Sequence, residues 1–105
     1  MDKVTQANWH IGQLVHHRLF GYRGVIYDVD PVFMLSEEWY QQVAQSQPPK
    51  DEPWYRVLVD GSIQETYVAE QNLEANPDGG VIEHPDIDRY FSAFVNGQYV
   101  VKRKN

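Results

Sequence analysis

Cysteine is absent from the 105 residues of the sequence, and so are long apolar runs. The lack of cysteine excludes disulfides, thiolate nucleophiles and zinc sites built from cysteine. The longest unbroken apolar run is Val32–Leu35, far short of the roughly 18 residues that cross a bilayer. The first residues also lack the apolar segment of a secretory signal. We therefore expect one soluble domain over residues 1–105, located in the cytoplasm.

Motifs that carry catalysis or bind metals are also scarce. Four histidines are present, but the neighbours His16 and His17 point to opposite faces of a strand and cannot both bind one ion without distortion. No serine lies in a nucleophile elbow, and Asp28-x-Asp30 lacks the glycine and the terminal glutamate of a calcium loop. Pairs of carboxylates fit turns and helix caps better than acid–base chemistry. The sequence therefore predicts a protein that is not an enzyme and has no metal and no cofactor.

Charge is distributed unevenly around a net value of −6. Residues 1–27 carry three basic side chains and one acidic side chain, a balance of +2, whereas residues 28–101 carry three basic and fourteen acidic ones, a balance of −11. The last four residues add +3. An acidic body repels nucleic acid at long range, so DNA binding by this chain would have to be local and sensitive to salt.

Aromatic residues make up 13% of the chain, enough for a packed core, which excludes a disordered chain. Segments rich in β-branched and aromatic residues, separated by glycine and proline, predict short strands. These segments are 11–19, 25–29, 54–59, 64–68 and 98–101. Closing the strands that precede Leu73 into a small barrel would remove the open edges of so small a sheet. The sequence thus predicts a mainly β fold with a barrel over residues 11–75.

Two helices are expected in addition to the strands. Ser36 is a good N-cap, and apolar residues recur after it, so a helix of about three turns is predicted before Pro48. This helix would follow the second strand and plug one side of the barrel. A short C-terminal helix of about two turns is predicted in the extension over 81–105, where apolar residues recur at i, i+3, i+4 and i+7. The stripe consists of Ile87, Tyr90, Phe91 and Phe94. It packs on the barrel or docks on a partner.

Two groups of side chains are candidates for binding a partner. The loop around Gly21 combines aromatic and basic residues, a pairing that suits nucleic acid or a peptide, although the rings could instead cap the barrel end. Trp54 and Tyr55 are neighbours on a strand, so one of them faces outward and is a candidate contact. The candidate protein-contacting residues are Phe20, Tyr22, Trp54 and Tyr55. The candidate DNA-contacting residues are Arg18, Arg23, Lys102, Arg103 and Lys104.

Three blocks of the sequence carry a family resemblance. They contain Gly21-Tyr22-Arg23-Gly24-Val25, Pro53-Trp54-Tyr55 and Tyr67-Val68-Ala69-Glu70. In this order, over residues 11 to 73, the blocks resemble the YccV-like family, which includes the heat shock protein HspQ. The segment from Ile82 to Tyr99 is similar to the ending of YccV-like domains other than the enterobacterial protein. The resemblance implies an SH3-like barrel without catalytic residues.

The resemblance implies two kinds of function. One is recognition of hemimethylated DNA, and the other is protein quality control, in which degradation of substrates such as the replication initiator DnaA by the Lon protease is promoted. It also implies a homo-oligomer. The net charge of −6 and the surplus of aromatic residues favour a protein partner, so we expect a heat shock, HspQ-like factor that acts with Lon. A DNA-binding module associated with the nucleoid and a structural subunit of a larger complex are the alternatives.

Overall fold

The computed structural model describes residues 6–44 and 46–103. Within them the chain is mainly β, with antiparallel sheets and two short α-helices. The strands are β1 (Leu14–His17), β2 (Arg23–Asp30), β3 (Trp54–Val59), β4 (Glu65–Ala69), β5 (Leu73–Ala75), β6 (Phe91–Val95) and β7 (Gln98–Val101). The helices are α1 (Glu37–Val43) and α2 (Ile87–Tyr90), and a 3-10 turn spans Glu70–Asn72. Neither helix of the described residues has the length and apolar character needed for a membrane crossing.

The first five strands form one antiparallel sheet in the order β4-β3-β2-β1-β5. The strands predicted over 25–29, 54–59 and 64–68 are confirmed as β2, β3 and β4, with small differences at their ends. The 3-10 turn after β4 carries the chain to the far edge, where β5 pairs with β1. The sheet is therefore open in the described part of the chain, and the expected closure of a barrel is not found, because this turn bridges the two edges without pairing them.

Both faces of this sheet are covered. Val25 and Leu58 pack with the C-terminal segment, whereas their neighbours Ile26 and Val57 enter a different core cluster. All four side chains are fully buried. Successive residues of a strand point to opposite faces, so the two clusters lie on the two sides of the sheet. As a consequence, the central strands bury both sets of their side chains.

Helix α1 packs beside β3. It begins as predicted at Ser36, whose hydroxyl oxygen accepts a hydrogen bond from the backbone N–H of Trp39 at 3.1 Å. The helix has seven residues, or about two turns instead of the expected three. The hydroxyl of Tyr40 donates to the carbonyl of Pro48 at 2.7 Å and ties the following loop to the helix. Tyr40 and Trp54 share one buried aromatic cluster, which holds α1 against the sheet.

The apolar stripe near the C-terminus is helical only at its start. Helix α2 ends at Tyr90, and Phe91 begins β6, which pairs with β7. The predicted two-turn helix is therefore wrong beyond Tyr90, because aromatic and β-branched residues favour a strand and an Asn-Gly pair favours a hairpin. Asn96 and Gly97 form that turn with φ angles of 53° and 82°. Phe91 is buried against the main sheet, so the stripe packs on its own molecule as expected.

The C-terminal hairpin is attached to the main sheet through Gly12. The backbone N–H of Tyr99 donates to the carbonyl of Gly12 at 2.8 Å, and the N–H of Gly12 donates to the carbonyl of Ile26 at the same distance. Gly12 has a φ of 94°, and a Cβ there would overlap the carbonyl oxygen of Tyr99. Only glycine fits this crossing. The crossing thereby determines where the residues after β7 leave the hairpin.

Candidate binding surfaces

The loop between β1 and β2 presents two apolar side chains to solvent. Leu19 is 60% exposed and Phe20 is 68% exposed. The loop is nevertheless anchored, because Nδ1 of His17 accepts hydrogen bonds from the backbone N–H groups of both residues at 3.1 Å. The Phe20 ring also stacks on the imidazole with their centres 4.6 Å apart. The tip is therefore organised before any partner arrives, and less conformational entropy is lost on binding.

His17 can hold this loop because its ring is neutral and buried. It is 4% exposed, and burial, reinforced by the neighbouring His16, lowers the pKa of His17 below its usual value of 6.5. Only a deprotonated Nδ1 can accept the two hydrogen bonds. Tyr22 also packs against the imidazole, with its ring centre 5.0 Å from that of His17. The loop conformation thus depends on a neutral imidazole.

An apolar groove of about 300 Å³ lies between this loop and the end of α1. Its floor is the buried Trp54, and the half-exposed Val43 stands on its helical side. The groove is lined by Leu19, Phe20, Val43, Ala44, Ser46, Pro48, Trp54 and Asn72. A concave apolar surface with exposed, ordered walls is typical of sites that take an apolar side chain of a partner.

The other predicted protein-contacting residues lie inside the molecule. Trp54 and Tyr55 are 2% and 0% exposed, so the prediction that one of them faces solvent is wrong. They point to opposite faces as expected, but the second face is covered by α1. The hydroxyl of Tyr55 donates to Glu70 at 2.5 Å, and burial followed by this carboxylate raises the pKa of Tyr55. Tyr22 is half-buried, with its hydroxyl 2.7 Å from that of Thr66. Of the four predicted residues, Phe20 is the exposed one.

The two arginines of the same loop region separate in the structure. Arg18 is exposed at the edge of the tip and donates from Nε to the carbonyl of Leu73 at 3.2 Å. Arg23 is half-buried and pairs with Asp60 at 3.0 Å. It also donates to the carbonyl of Val81 at 3.2 Å. Arg23 therefore holds the segment before α2 against the sheet, and it does not form a basic patch with Arg18.

A basic pocket of about 260 Å³ forms where the residues after β7 return to α2. The backbone N–H of Lys102 donates to the carbonyl of Tyr90 at 2.9 Å, and its Nζ donates to the carbonyl of Asp88 at 2.9 Å. Arg89 and Arg103 line the same pocket. Its walls are Ile11, Tyr27, Arg89, Tyr90, Phe91, Val101, Lys102 and Arg103. Lys104, a predicted member of the basic cluster, lies outside the described residues.

Aromatic rings accompany the cations of the basic pocket. Tyr27 and Tyr90 stack with their ring centres 4.7 Å apart, and the guanidinium carbon of Arg89 lies 5.5 Å from the ring centre of Tyr90. Burial, together with the nearby Glu65, raises the pKa of Tyr27 to about 12. Sequence reasoning missed Arg89, because it counted this residue only as part of a helix. The Asn-Gly turn was the available signal, since a hairpin there brings the basic tail back to α2.

The histidines do not converge on one another. Nε2 of His10 lies 2.7 Å from Oε1 of Gln98, and Nδ1 of His16 lies 3.0 Å from Oε1 of Glu74. In the part of the chain that the structure describes, no group of three or more histidine, aspartate or glutamate side chains could hold a metal ion.

Comparisons with known proteins agree with the family resemblance. Residues 7–98 match the family model described as hemimethylated DNA-binding protein YccV like. The chain is also 40% identical over 102 residues to F-box only protein 21 from Homo sapiens, and to the same protein from Pongo abelii and Mus musculus. The matched region is 94% of this chain but only 16% of the length of those relatives. The similarity therefore concerns one domain of a much longer protein.

Proposed function

The chain belongs to the YccV-like family of hemimethylated DNA-binding proteins, and from that premise we propose that it is a non-enzymatic, protein-binding factor of the HspQ type. Its role is to promote degradation of client proteins, such as the replication initiator DnaA, by the Lon protease. The observation that carries this proposal is the apolar groove, because Leu19 and Phe20 stand exposed yet anchored at its edge.

The groove supports a protein partner on energetic grounds. Fully burying a side chain the size of leucine or phenylalanine stabilises a complex by about 1.5–3 kcal/mol. Two such residues beside a preorganised groove match the anchor residues that dominate many interfaces. The net charge of −6 further favours a protein over DNA as the partner of this surface.

The same proposal includes the finer features implied by the family. We take the sheet as the core of an SH3-like barrel over residues 11–75, with residues 81–105 as an extension of a single domain. The antiparallel order of the five strands supports an SH3-like arrangement in which a 3-10 turn links the edge strands β4 and β5 and the two strands do not pair. A cytoplasmic location, induction under heat shock and assembly into a homo-oligomer belong to the proposal as well.

A reconstituted Lon assay tests the proposal. The half-life of DnaA is measured with Lon and ATP, with and without the chain, and for the variants Phe20→Ser and Ile63→Ser. Ile63 is a matched control, because it is an apolar residue, 82% exposed, on the turn between β3 and β4 and outside the groove. We expect the chain to shorten the half-life, Phe20→Ser to weaken this effect about tenfold, and Ile63→Ser to preserve it. Full activity of a folded Phe20→Ser variant would contradict the proposal.

The basic pocket favours a second candidate function, recognition of hemimethylated DNA. Arg89, Lys102 and Arg103 bring three cations together beside two stacked tyrosines. Cations contact phosphates and aromatic rings stack on bases, so these residue types serve both parts of a nucleic acid. The description of the family supports the same candidate.

Fluorescence anisotropy separates this candidate from the first. The chain is titrated with unmethylated, hemimethylated and fully methylated duplexes at about 50 and about 200 mM salt, the range over which phosphate contacts weaken. The variant Arg89→Gln is compared with Lys50→Gln, a control in which the lost cation pairs with Glu37 away from the pocket. Tighter binding of the hemimethylated duplex, reduced by Arg89→Gln alone, supports the DNA function. Equal binding of all three duplexes counts against it.

A further inference from the structure

A second pocket lies on the other side of Val43 from the apolar groove. It has a volume of about 250 Å³ and opens between α1 and the edge strand β4. Val43 lines both cavities, so a bound segment that crosses this residue reaches the two sites at once. We call the second cavity the acidic pocket; it is lined by Tyr27, Trp39, Val43, Arg56, Glu65, Thr66 and Tyr67.

Three aromatic rings from three different elements line the acidic pocket. Tyr27 comes from β2, Trp39 from α1 and Tyr67 from β4. The ring of Tyr67 already holds one cation, because the guanidinium carbon of Arg56 lies 4.8 Å from its centre. Aromatic faces attract cations through their quadrupole, and several rings around one cavity form the usual site for an ammonium group. The Tyr67 ring also stacks on Trp54 and the Tyr27 ring stacks on Tyr90, with ring centres 5.2 and 4.7 Å apart. Attraction of a further cation therefore depends mainly on the carboxylates around the pocket.

The charged groups around the pocket carry an excess of negative charge. Arg56 lies between two carboxylates, with Nε 3.9 Å from Asp28 and Nη2 3.5 Å from Asp30. Asp30 also accepts a hydrogen bond from the hydroxyl of Tyr67 at 2.7 Å. Glu65 adds a third carboxylate on the wall. With one cation and three carboxylates, the site has a local balance of −2.

The acidic charge extends well beyond the pocket. Residues 28–75, which contain β3, β4, α1 and most of the groove, carry ten acidic and two basic side chains, a balance of −8. Such a field attracts basic segments and repels acidic ones. It also repels the phosphates of nucleic acids. Tyr27 lines both this pocket and the basic pocket, so the two sites adjoin and carry opposite charge.

We propose that the polypeptide segment bound by this domain is basic as well as apolar. One of its apolar side chains occupies the groove beside Phe20, and a lysine or arginine side chain crosses Val43 and enters the acidic pocket. The inference rests on the proposed protein-binding function and names the chemistry of the partner. A segment recognised through apolar contacts alone, or an acidic segment, is the competing occupant.

Three synthetic peptides test the charge preference directly. Each is labelled with fluorescein and has the same leucine and phenylalanine residues, and the remaining positions are filled with lysine, glutamine or glutamate. The full chain is titrated into each peptide at about 50 and about 200 mM salt, and the anisotropy is measured. We expect the lysine peptide to bind at least tenfold more tightly than the glutamate peptide at the lower salt, with the glutamine peptide between them. Equal affinities, a preference for glutamate, or no binding of any peptide would overturn the proposal.

Two charge reversals localise the effect. Glu65→Lys changes the wall of the acidic pocket, whereas Asp78→Lys makes the same change in charge at an exposed residue of the loop between β5 and α2, outside the pocket. We expect Glu65→Lys to weaken binding of the lysine peptide about fivefold and Asp78→Lys less than twofold, since a direct contact is screened less than a distant charge. Equal effects of the two variants would show that only the overall charge matters, and would overturn the assignment of the pocket.

A failure of the inference that the partner is basic can be distinguished from a failure of the proposed protein-binding function. Phe20→Ser removes an apolar wall of the groove and leaves the acidic pocket intact. If this variant loses activity in the Lon assay while all three peptides bind equally, the protein-binding function stands and the basic character of the partner is wrong. If Phe20→Ser keeps full activity, the groove itself is wrong as the site of protein binding.

Discussion

The apolar groove and the basic pocket are built in different ways, and the difference bears on which partner each can take. The groove joins the loop after β1 to the end of α1, and its order depends on one neutral, buried imidazole. The basic pocket joins β2, α2 and the residues after β7, which lie far apart in sequence. The groove lies on the acidic part of the chain, whereas the pocket collects three cations. The two surfaces therefore differ in chemistry: one is apolar and lies among acidic residues, and the other is basic.

The largest expected effect comes from Gly12→Ala, which acts where the C-terminal hairpin is attached to the main sheet. The new Cβ overlaps the carbonyl oxygen of Tyr99 at a φ of 94°, and the overlap together with backbone strain costs about 2–4 kcal/mol of the free energy of unfolding. Urea unfolding measures the loss. We expect binding of DNA to fall with it, while binding of the lysine peptide by the remaining folded protein is kept.

A control for this change is Gly21→Ala. Gly21 also has a positive φ, 75°, but a Cβ there has open space around it. We expect Gly21→Ala to lower the free energy of unfolding by only about 1 kcal/mol. Equal losses for the two variants would mean that the steric contact with Tyr99 does not hold the hairpin.

The next effect is a pH dependence confined to the groove. Because burial lowers the pKa of His17 below 6.5 in the folded protein, the unfolded chain binds this proton more tightly. The stabilisation from the neutral ring is fully present above pH 6.5 and is lost as the pH falls towards the lowered pKa. Protonation also removes the acceptor of the Leu19 and Phe20 N–H groups, so peptide binding should weaken as the pH falls below 6.5.

The variant His17→Phe isolates this titration. It keeps an aromatic ring but has no acceptor, so the loop is disordered at every pH and stability falls by about 1–3 kcal/mol. Peptide binding by this variant should be weak and should lose the pH dependence below pH 6.5. An unchanged pH profile would assign the dependence to groups other than His17.

A smaller effect is expected from Ser36→Ala. The substitution removes the N-cap of α1, whose hydroxyl accepts from the N–H of Trp39, and costs about 1 kcal/mol. Since α1 carries Val43, which lines both the groove and the acidic pocket, peptide binding should weaken by a few fold while DNA binding is unchanged. Thermal unfolding and anisotropy measure the two effects, and Ser92→Ala, on exposed β6, is the control.

The smallest expected change in stability comes from Arg89→Gln, at an exposed residue. The free energy of unfolding should change by less than about 0.5 kcal/mol. If Arg89 contacts a phosphate, the slope of log affinity for DNA against log salt should decrease by about one. An unchanged slope would mean that Arg89 does not contact a phosphate. The groove would then be the better supported of the two binding surfaces.

Some features of the fold and of the candidate sites could be predicted from the sequence, and others could not. The N-cap at Ser36 and strands β2 to β4 could be predicted because each depends on local propensity or on a turn. The sequence left open whether Phe20 is exposed or caps the end of the sheet. The burial of Trp54 and Tyr55 could not, because alternation says that two residues face opposite ways but not whether both faces are covered. Phe91 was misassigned for a similar reason, since an i, i+3, i+4, i+7 pattern in a short segment does not exclude a strand.

Composition, charge and turn chemistry by themselves determined that this chain is mainly β and that it carries an acidic body with a basic end. Three sequence blocks indicated the YccV-like family, which the family model matches over residues 7–98. The tertiary structure decided which surfaces exist. In the folded chain Arg23 pairs with Asp60, and Arg89 lines one pocket with Lys102 and Arg103. Val43 lines two cavities. The physical reason is that propensity acts over neighbouring residues, whereas a binding surface depends on which distant segments cover one another in the folded chain.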